Sequence, residues 1–172
     1  MALGQRVLLV SPISVAGRLC TIWRDAGFFA AIWFSFARIV AGFFAGFTAG
    51  VVLAMLAGRF SVLETIFLPY LLTVKSVPVA SFIVIALLWL SSAELSVFIS
   101  FLMVLPIVYN NVLAGIRNVD PKMTEMAQVF HLSFPRRLSY IWLPQIKPYL
   151  LSACATSIGL AWKSGIAAEI IG

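Results

Sequence analysis

From Ile39 to Ala57 the chain reads IVAGFFAGFTAGVVLAMLA, 19 residues without a charge. As helix this run covers roughly 28 Å and matches the hydrocarbon thickness of a bilayer. Arg38 and Arg59 bracket it, and their long side chains can reach headgroups from either end. The aromatic stretch from Phe28 to Phe36 just before it is expected at the membrane interface. Composition agrees with a lipid environment. Of 172 residues 62% are apolar and 10% charged, where a soluble domain carries roughly 25% charge. Mean hydropathy is +1.06, and 14 Phe and 5 Trp exceed what one small core can hide. An ordinary water-soluble globule is excluded. The net charge of +6 comes from few residues, so it reads as loop bias and not as a nucleic-acid footprint. Cys20 and Cys154 are too few and too isolated for a disulfide framework or a metal site.

Three further spans are expected. The stretch 67–90 is apolar but interrupted by Pro69, Lys75 and Pro78. Either this helix is kinked, or it begins near Ser76 and Ser61 to Val74 forms a separate helix along the inner surface. The next span, 95–115, contains Pro106 and the pair Asn110 and Asn111, and is entered through Ser91 to Glu94. The last, 141–162, opens with Pro144 and Pro148 in its first turns, where missing amide donors cost least. Segment 116–140 holds Arg117, Lys122, Arg136 and Arg137, and the positive-inside rule makes it cytoplasmic. Alternation then puts residues 1–25 outside, within an external or interfacial N-terminal segment 1–38, against the same rule, because Arg6, Arg18 and Arg24 lie there. A missing upstream span resolves that conflict. The Val7 to Val10 run is too short for a signal-peptide core. The whole reads as one all-α transmembrane domain, residues 1–172, with 163–172 a short C-terminal segment.

Asp120-Pro121 is a helix-start signal, and Met123, Met126, Ala127, Phe130 and Phe134 follow at three- and four-residue spacing. Ser133-Phe134-Pro135 breaks this helix and opens another toward Ile141. Such a helix, turn, helix unit is either an amphipathic connector on the headgroups or a Met-rich knob docking in a groove of a partner. Periodicity leaves both open.

The segment Glu125 to Pro144, EMAQVFHLSFPRRLSYIWLP, resembles the EAA motif of permease subunits of bacterial binding-protein-dependent ABC importers. That pattern reads EAA, three residues, Gly, nine residues, Ile, any residue, Leu-Pro. Glu125, Ala127, Ile141, Leu143 and Pro144 match, while Met126 replaces the middle Ala and His131 the Gly. That Gly lies at the turn, so His131 must tolerate its geometry or shift it. SFARIVAGFFAG from Ser35, KSVPVASF from Lys75, the Asn111, Gly115 and Asp120 series, and GLAWKSGIAAEIIG from Gly159 resemble the nitrate, sulfonate, taurine and bicarbonate branch. Members of that branch are longer, with a further span at each end, so by this likeness the chain is clipped at both.

The resemblance implies an all-α, polytopic helix bundle of the type I ABC importer permease kind, with about four spans here plus a cytoplasmic coupling helix. It implies a place in the bacterial inner membrane and a path for a small anion. Its implied partners are two ATP-binding cassette ATPase subunits, a second permease subunit as a homodimer, and a periplasmic or lipid-anchored solute-binding protein, besides membrane lipid. Coupling to the ATPase then falls to Glu125, Met126, Ala127, Phe130 and His131. The rival reading is a truncated, non-transporting membrane interaction or scaffold protein.

Gly42, Gly46 and Gly50 make two small-xxx-small steps, read first as packing inside the bundle and second as self-association. Lys75 either faces the bundle interior or a wet pathway, or snorkels at the inner end of its span. Lys75, Lys163 and Arg38 offer anion attraction along a route. Asn110 and Asn111 line the path or, the favoured reading, hydrogen-bond between helices. Lys163 and Glu169 are six residues apart and share no helix face. No acid and nucleophile form a catalytic set around His131. GLAWKS at Gly159 has Trp162 where a Walker loop needs Gly, so no ATP site and no cofactor are expected.

Overall fold

A computed structural model describes residues 11–172; the Val7 to Val10 run and Arg6 lie outside them. The described chain runs α1 (Pro12–Thr21), a 3-10 turn (Ile22–Arg24), α2 (Phe28–Arg59), α3 (Ser61–Ser76), α4 (Val79–Ala86), α5 (Ser92–Arg117), α6 (Pro121–Val129), α7 (Phe134–Arg137), a π turn (Leu138–Trp142) and α8 (Leu143–Ile171). The described residues divide into two compact units, 11–36 and 37–172.

In the first unit Pro12 sits in the first turn of α1, where its preset φ suits helix entry. Arg18 and Asp25 form an ion pair, and Gly27 turns the chain with φ +95°. Trp23 packs edge-on against Phe28, ring centroids 5.8 Å apart. The aromatic stretch from Phe28 belongs to α2 itself, since nothing between Phe28 and Ala57 breaks a helix.

The second unit is built around α5. In its most apolar window 61% of residues are buried, against 28% in α2, which makes α5 the centre of the bundle. One side of α5 receives the glycines of α2. A Cβ on Gly46 would lie 2.8 Å from the Phe101 carbonyl oxygen and 3.0 Å from Val104 Cβ, and one on Gly50 2.9 Å from Val108 Cβ. The backbones meet at a distance only glycine allows. Gly42, Gly46 and Gly50 are buried, so this face is taken up within the chain and is closed to a second copy. On its other side α5 meets α8, its most extensive neighbour. Ser96 and Ser100, both fully buried, donate to the carbonyls of Gly165 and Ala161, each at 3.3 Å. Such bonds join helices where the hydrophobic effect offers no drive.

The 67–90 stretch is two helices bent by 102° between Ser76 and Val79. Pro78 has no amide to continue α3, and Val77 before it is extended at φ −88°, ψ 134°. The Ser91 amide donates to Glu94 Oε2 at 3.2 Å, which starts α5.

By length and apolar content α2 and α5 can each cross a membrane, and α3 and α4 meet the same test only when taken together, as a broken span or a re-entrant loop. The fourth expected span falls in α8, which runs 29 residues to Ile171 and so absorbs most of 163–172. Its hydroxyls and Lys147, Lys163 and Glu169 keep it below the apolar content of the other two. Pro148 lies inside α8 and not in a first turn, because α7 and the π turn lead into α8 without a gap. The Leu143 amide reaches back to the Leu138 carbonyl. The wide turn eases the clash of the Pro144 ring with the preceding turn.

Candidate coupling site

The polar segment after α5 is held at both ends. Asp120 Oδ1 accepts from the Lys122 amide at 2.8 Å, capping α6, and Pro121 follows at the first helical position. The Asp120 amide donates to Gln145 Oε1 at 2.8 Å, and Gln145 Nε2 donates to the Ile141 carbonyl at 3.0 Å. One side chain of α8 thus anchors the foot of α6.

His131 closes the other end of α6. Its φ is +49°, its amide donates to the Gln128 carbonyl and the Leu132 amide to the Ala127 carbonyl, both at 3.0 Å. These two bonds are the Schellman closure, which normally employs glycine at the left-handed position. His131 adopts the turn geometry and does not shift it. Arg137 donates its amide to the Ser133 carbonyl at 3.0 Å to begin α7, and its guanidinium lies 5.6 Å from the Trp142 ring centre.

The expected apolar face of α6 is split. Ala127 is 1% exposed and seats the helix on the rest of the protein, while Met126 is 43% and Phe130 69% exposed. Ala127 is therefore unavailable to a partner. Met123, Val129 and Phe134 are also exposed, so α6 and its turn present an apolar cap. Glu125 and His131 are exposed beside it, and Glu125 forms no ion pair among the described residues. Val129 escaped the sequence reading because it stands off the register that joins Met126 to Phe130. Gln145 left no local signal, since its partner is 25 residues earlier in the chain. The cap carries apolar side chains and sulfur.

The other candidates lie elsewhere. Asn110 Nδ2 donates to the Pro106 carbonyl at 2.5 Å and Asn111 Nδ2 to the Ile107 carbonyl at 2.9 Å. Both bonds stay inside α5, so the favoured reading of a bond between helices is corrected: in a helix the carbonyl four residues back lies within reach of a short amide. Lys75 ends α3 and Lys163 lies on α8, both exposed. Arg38 approaches Glu169 Oε1 at 3.9 Å, tying α2 to the far end of α8. Arg117 forms an ion pair with Glu64 of α3.

Residues 46–172 match the family model described as binding-protein-dependent transport system inner membrane component. A Bacillus subtilis protein named for aliphatic sulfonates transport, SsuC, is 28% identical over 167 residues, 96% of this chain and 60% of that one. The nitrate import permease protein NrtB of Synechocystis is 29% identical over 149 residues, 86% of this chain and 54% of that one. The taurine transport system permease protein TauC of Escherichia coli is 26% identical over 171 residues, 96% of this chain and 62% of that one. The chain thus spans between 54% and 62% of the length of these three relatives. With a family match that reaches from the glycine seam of α2 to the end of α8, the chain belongs to the binding-protein-dependent transport system inner membrane components.

Proposed function

We propose that the chain acts as a permease subunit of an ABC importer in the bacterial inner membrane, forming part of the path for a small anionic solute such as a sulfonate, nitrate or bicarbonate. Two ATPase subunits bind the cytoplasmic side, a second copy of the permease completes the path, and an external solute-binding protein delivers the cargo. The observation that carries this reading is the capped apolar knob of α6 and its turn. It is fixed at its foot by Gln145 and at its seat by Ala127, and it offers Met126 and Phe130 outward. A rigid apolar knob suits a groove in a partner. ATP-driven closure of the ATPases pulls on it, and the α7, π turn and α8 run carries the motion across the bilayer. Glu125 supplies a charged contact beside the apolar cap, and His131 sets the angle at which the cap is presented. Lys75, Lys163, Asn110 and Asn111 are assigned to the solute route.

Cysteine crosslinking tests this. Gln128→Cys in the assembled transporter is expected to crosslink to an ATPase subunit, with a yield that changes on adding ATP. Phe130→Asp, at an exposed position, is expected to lower both crosslinking and uptake about tenfold while membrane insertion is unchanged. Full uptake in Phe130→Asp, or a thiol at position 128 reachable only from the outer face of the membrane, would overturn the proposal.

A further inference from the structure

None of the ten residues of α1 is buried. A helix that short is marginal in water by itself, so a surface has to hold it. At about 100° of rotation per residue, Val15, Ala16, Leu19 and Cys20 share one side of α1, and Ser14, Gly17, Arg18 and Thr21 share the other. Val15 and Leu19 are exposed, as is Trp23 in the turn beyond. The helix is amphipathic, and its apolar side lies open.

The turn into α2 fixes what this side meets. Six residues, 22–27, separate the two helices, and they are folded: the Asp25 amide donates to the Ile22 carbonyl at 3.1 Å and the Phe28 amide to the Asp25 carbonyl at 3.2 Å. Arg18 of α1 reaches Asp25 as an ion pair. Trp23 stands edge-on to Phe28, and Phe28 edge-on to Phe29 at 5.4 Å. A short bonded turn therefore keeps α1 beside the first residues of α2. The 32 residues of α2 rise about 48 Å, or about 45 Å once tilted by about 20°, which is the thickness of a bilayer with its headgroup layers. Phe28 then lies at headgroup level. Phe29 and Trp33 are exposed there, and aromatic rings favour that depth. The apolar side of α1 is thus continuous with a surface that already faces lipid. Its charges agree. Asp25 meets the charge of Arg18, whereas Arg24 is exposed and forms no ion pair among the described residues. A guanidinium at headgroup level matches a phosphate.

We infer that α1 is an interfacial anchor whose partner is a phospholipid surface. It lies in the headgroup layer of the leaflet where α2 enters, with Val15 and Leu19 toward the acyl chains, Ser14 and Gly17 toward water, and Arg24 at a lipid phosphate. The inference needs only that α2 cross a membrane and is independent of the transport reading.

The test places single nitroxide labels on the protein in nanodiscs of phosphatidylethanolamine and phosphatidylglycerol, with Cys20→Ser and Cys154→Ser as background. Labels at Val15→Cys and Leu19→Cys are expected to relax with oxygen and to resist a water-soluble nickel chelate, and those at Ser14→Cys and Gly17→Cys to do the reverse. The ratio of the two accessibilities should differ about fivefold or more between the two sides, as for a helix lying 5–10 Å into the interface. Leu19→Glu should give the Val15→Cys label the chelate access of the Ser14→Cys label, while a label at the exposed Phe44→Cys of α2 stays with oxygen alone. Should Leu19→Glu fail to insert, the four-position pattern decides alone. Equal chelate access at all four positions would place α1 in water and overturn the inference. Shielding of the Val15→Cys and Leu19→Cys labels from both reagents would overturn it too, since a protein surface then covers the face. An unchanged Val15→Cys label in Leu19→Glu overturns it as well.

Discussion

Gly46→Ala and Gly159→Ala add the same methyl group inside long helices, and their surroundings give the two changes opposite signs. At Gly46 the new Cβ would meet the Phe101 carbonyl oxygen at 2.8 Å and Val104 Cβ at 3.0 Å. Comfortable separations between such atoms are about 3.5–4.0 Å. The first obstacle is backbone and cannot rotate aside, so α2 and α5 must part along the seam. Overpacking of this kind costs roughly 1–3 kcal/mol. Removing glycine from a helix interior returns roughly 0.5–1 kcal/mol. Gly46→Ala is therefore expected to lose up to about 2.5 kcal/mol, centred near 1 kcal/mol, as the balance of these two terms. At Gly159 nothing lies within 4 Å of the added Cβ, so the gain of roughly 0.5–1 kcal/mol stands alone. Reversible unfolding in mixed micelles, followed by tryptophan fluorescence, reads both values in one assay. A Gly46→Ala protein as stable as Gly159→Ala would refute the close approach of α2 to α5.

Two further changes probe the knob. His131→Gly relieves a side chain held at φ +49°, and although glycine also loosens the unfolded chain, a net gain of about 0.5–1 kcal/mol is expected. Hydrogen exchange at the Leu132 amide should slow about two- to fivefold by that estimate; faster exchange would mean that the imidazole makes a compensating contact. Gln145→Leu removes the anchor of the Asp120 amide at 2.8 Å, worth roughly 0.5–1.5 kcal/mol. Tryptic cleavage after Lys122 should then accelerate several-fold, and an unchanged rate would show that Ala127 alone holds α6 in place.

The features legible in the sequence are those that depend on near neighbours. The charge-free run from Ile39 and the Asp120-Pro121 start describe α2 and α6 because apolar length and cap chemistry act within a few residues. Pro78 marked the place of the α3–α4 break, although the 102° bend itself depends on packing. The start of α2 at Phe28 was not legible, since an aromatic run reads equally as an interface and as helix. Within the candidate site, the periodicity of Met126, Ala127 and Phe130 located an apolar face but could not say that Ala127 turns inward, because a helix of nine residues meets its neighbour along one line only. The Arg38–Glu169 and Glu64–Arg117 pairs join elements far apart in the chain, and no local pattern announces them. Asn110 and Asn111 chose carbonyls on their own helix, a preference that residue type alone does not reveal.

The π turn at Leu138–Trp142 has a further consequence. Its closure from the Leu143 amide to the Leu138 carbonyl spans one residue more than a regular helical turn, and each residue of an α-helix accounts for about 100° of rotation. The orientation of α7 about the α8 axis is thus set by a single surplus residue at the base of the rod. Shortening that turn by one residue would swivel everything upstream by more than a quarter of a circle, leaving every side chain of the knob intact and aimed elsewhere.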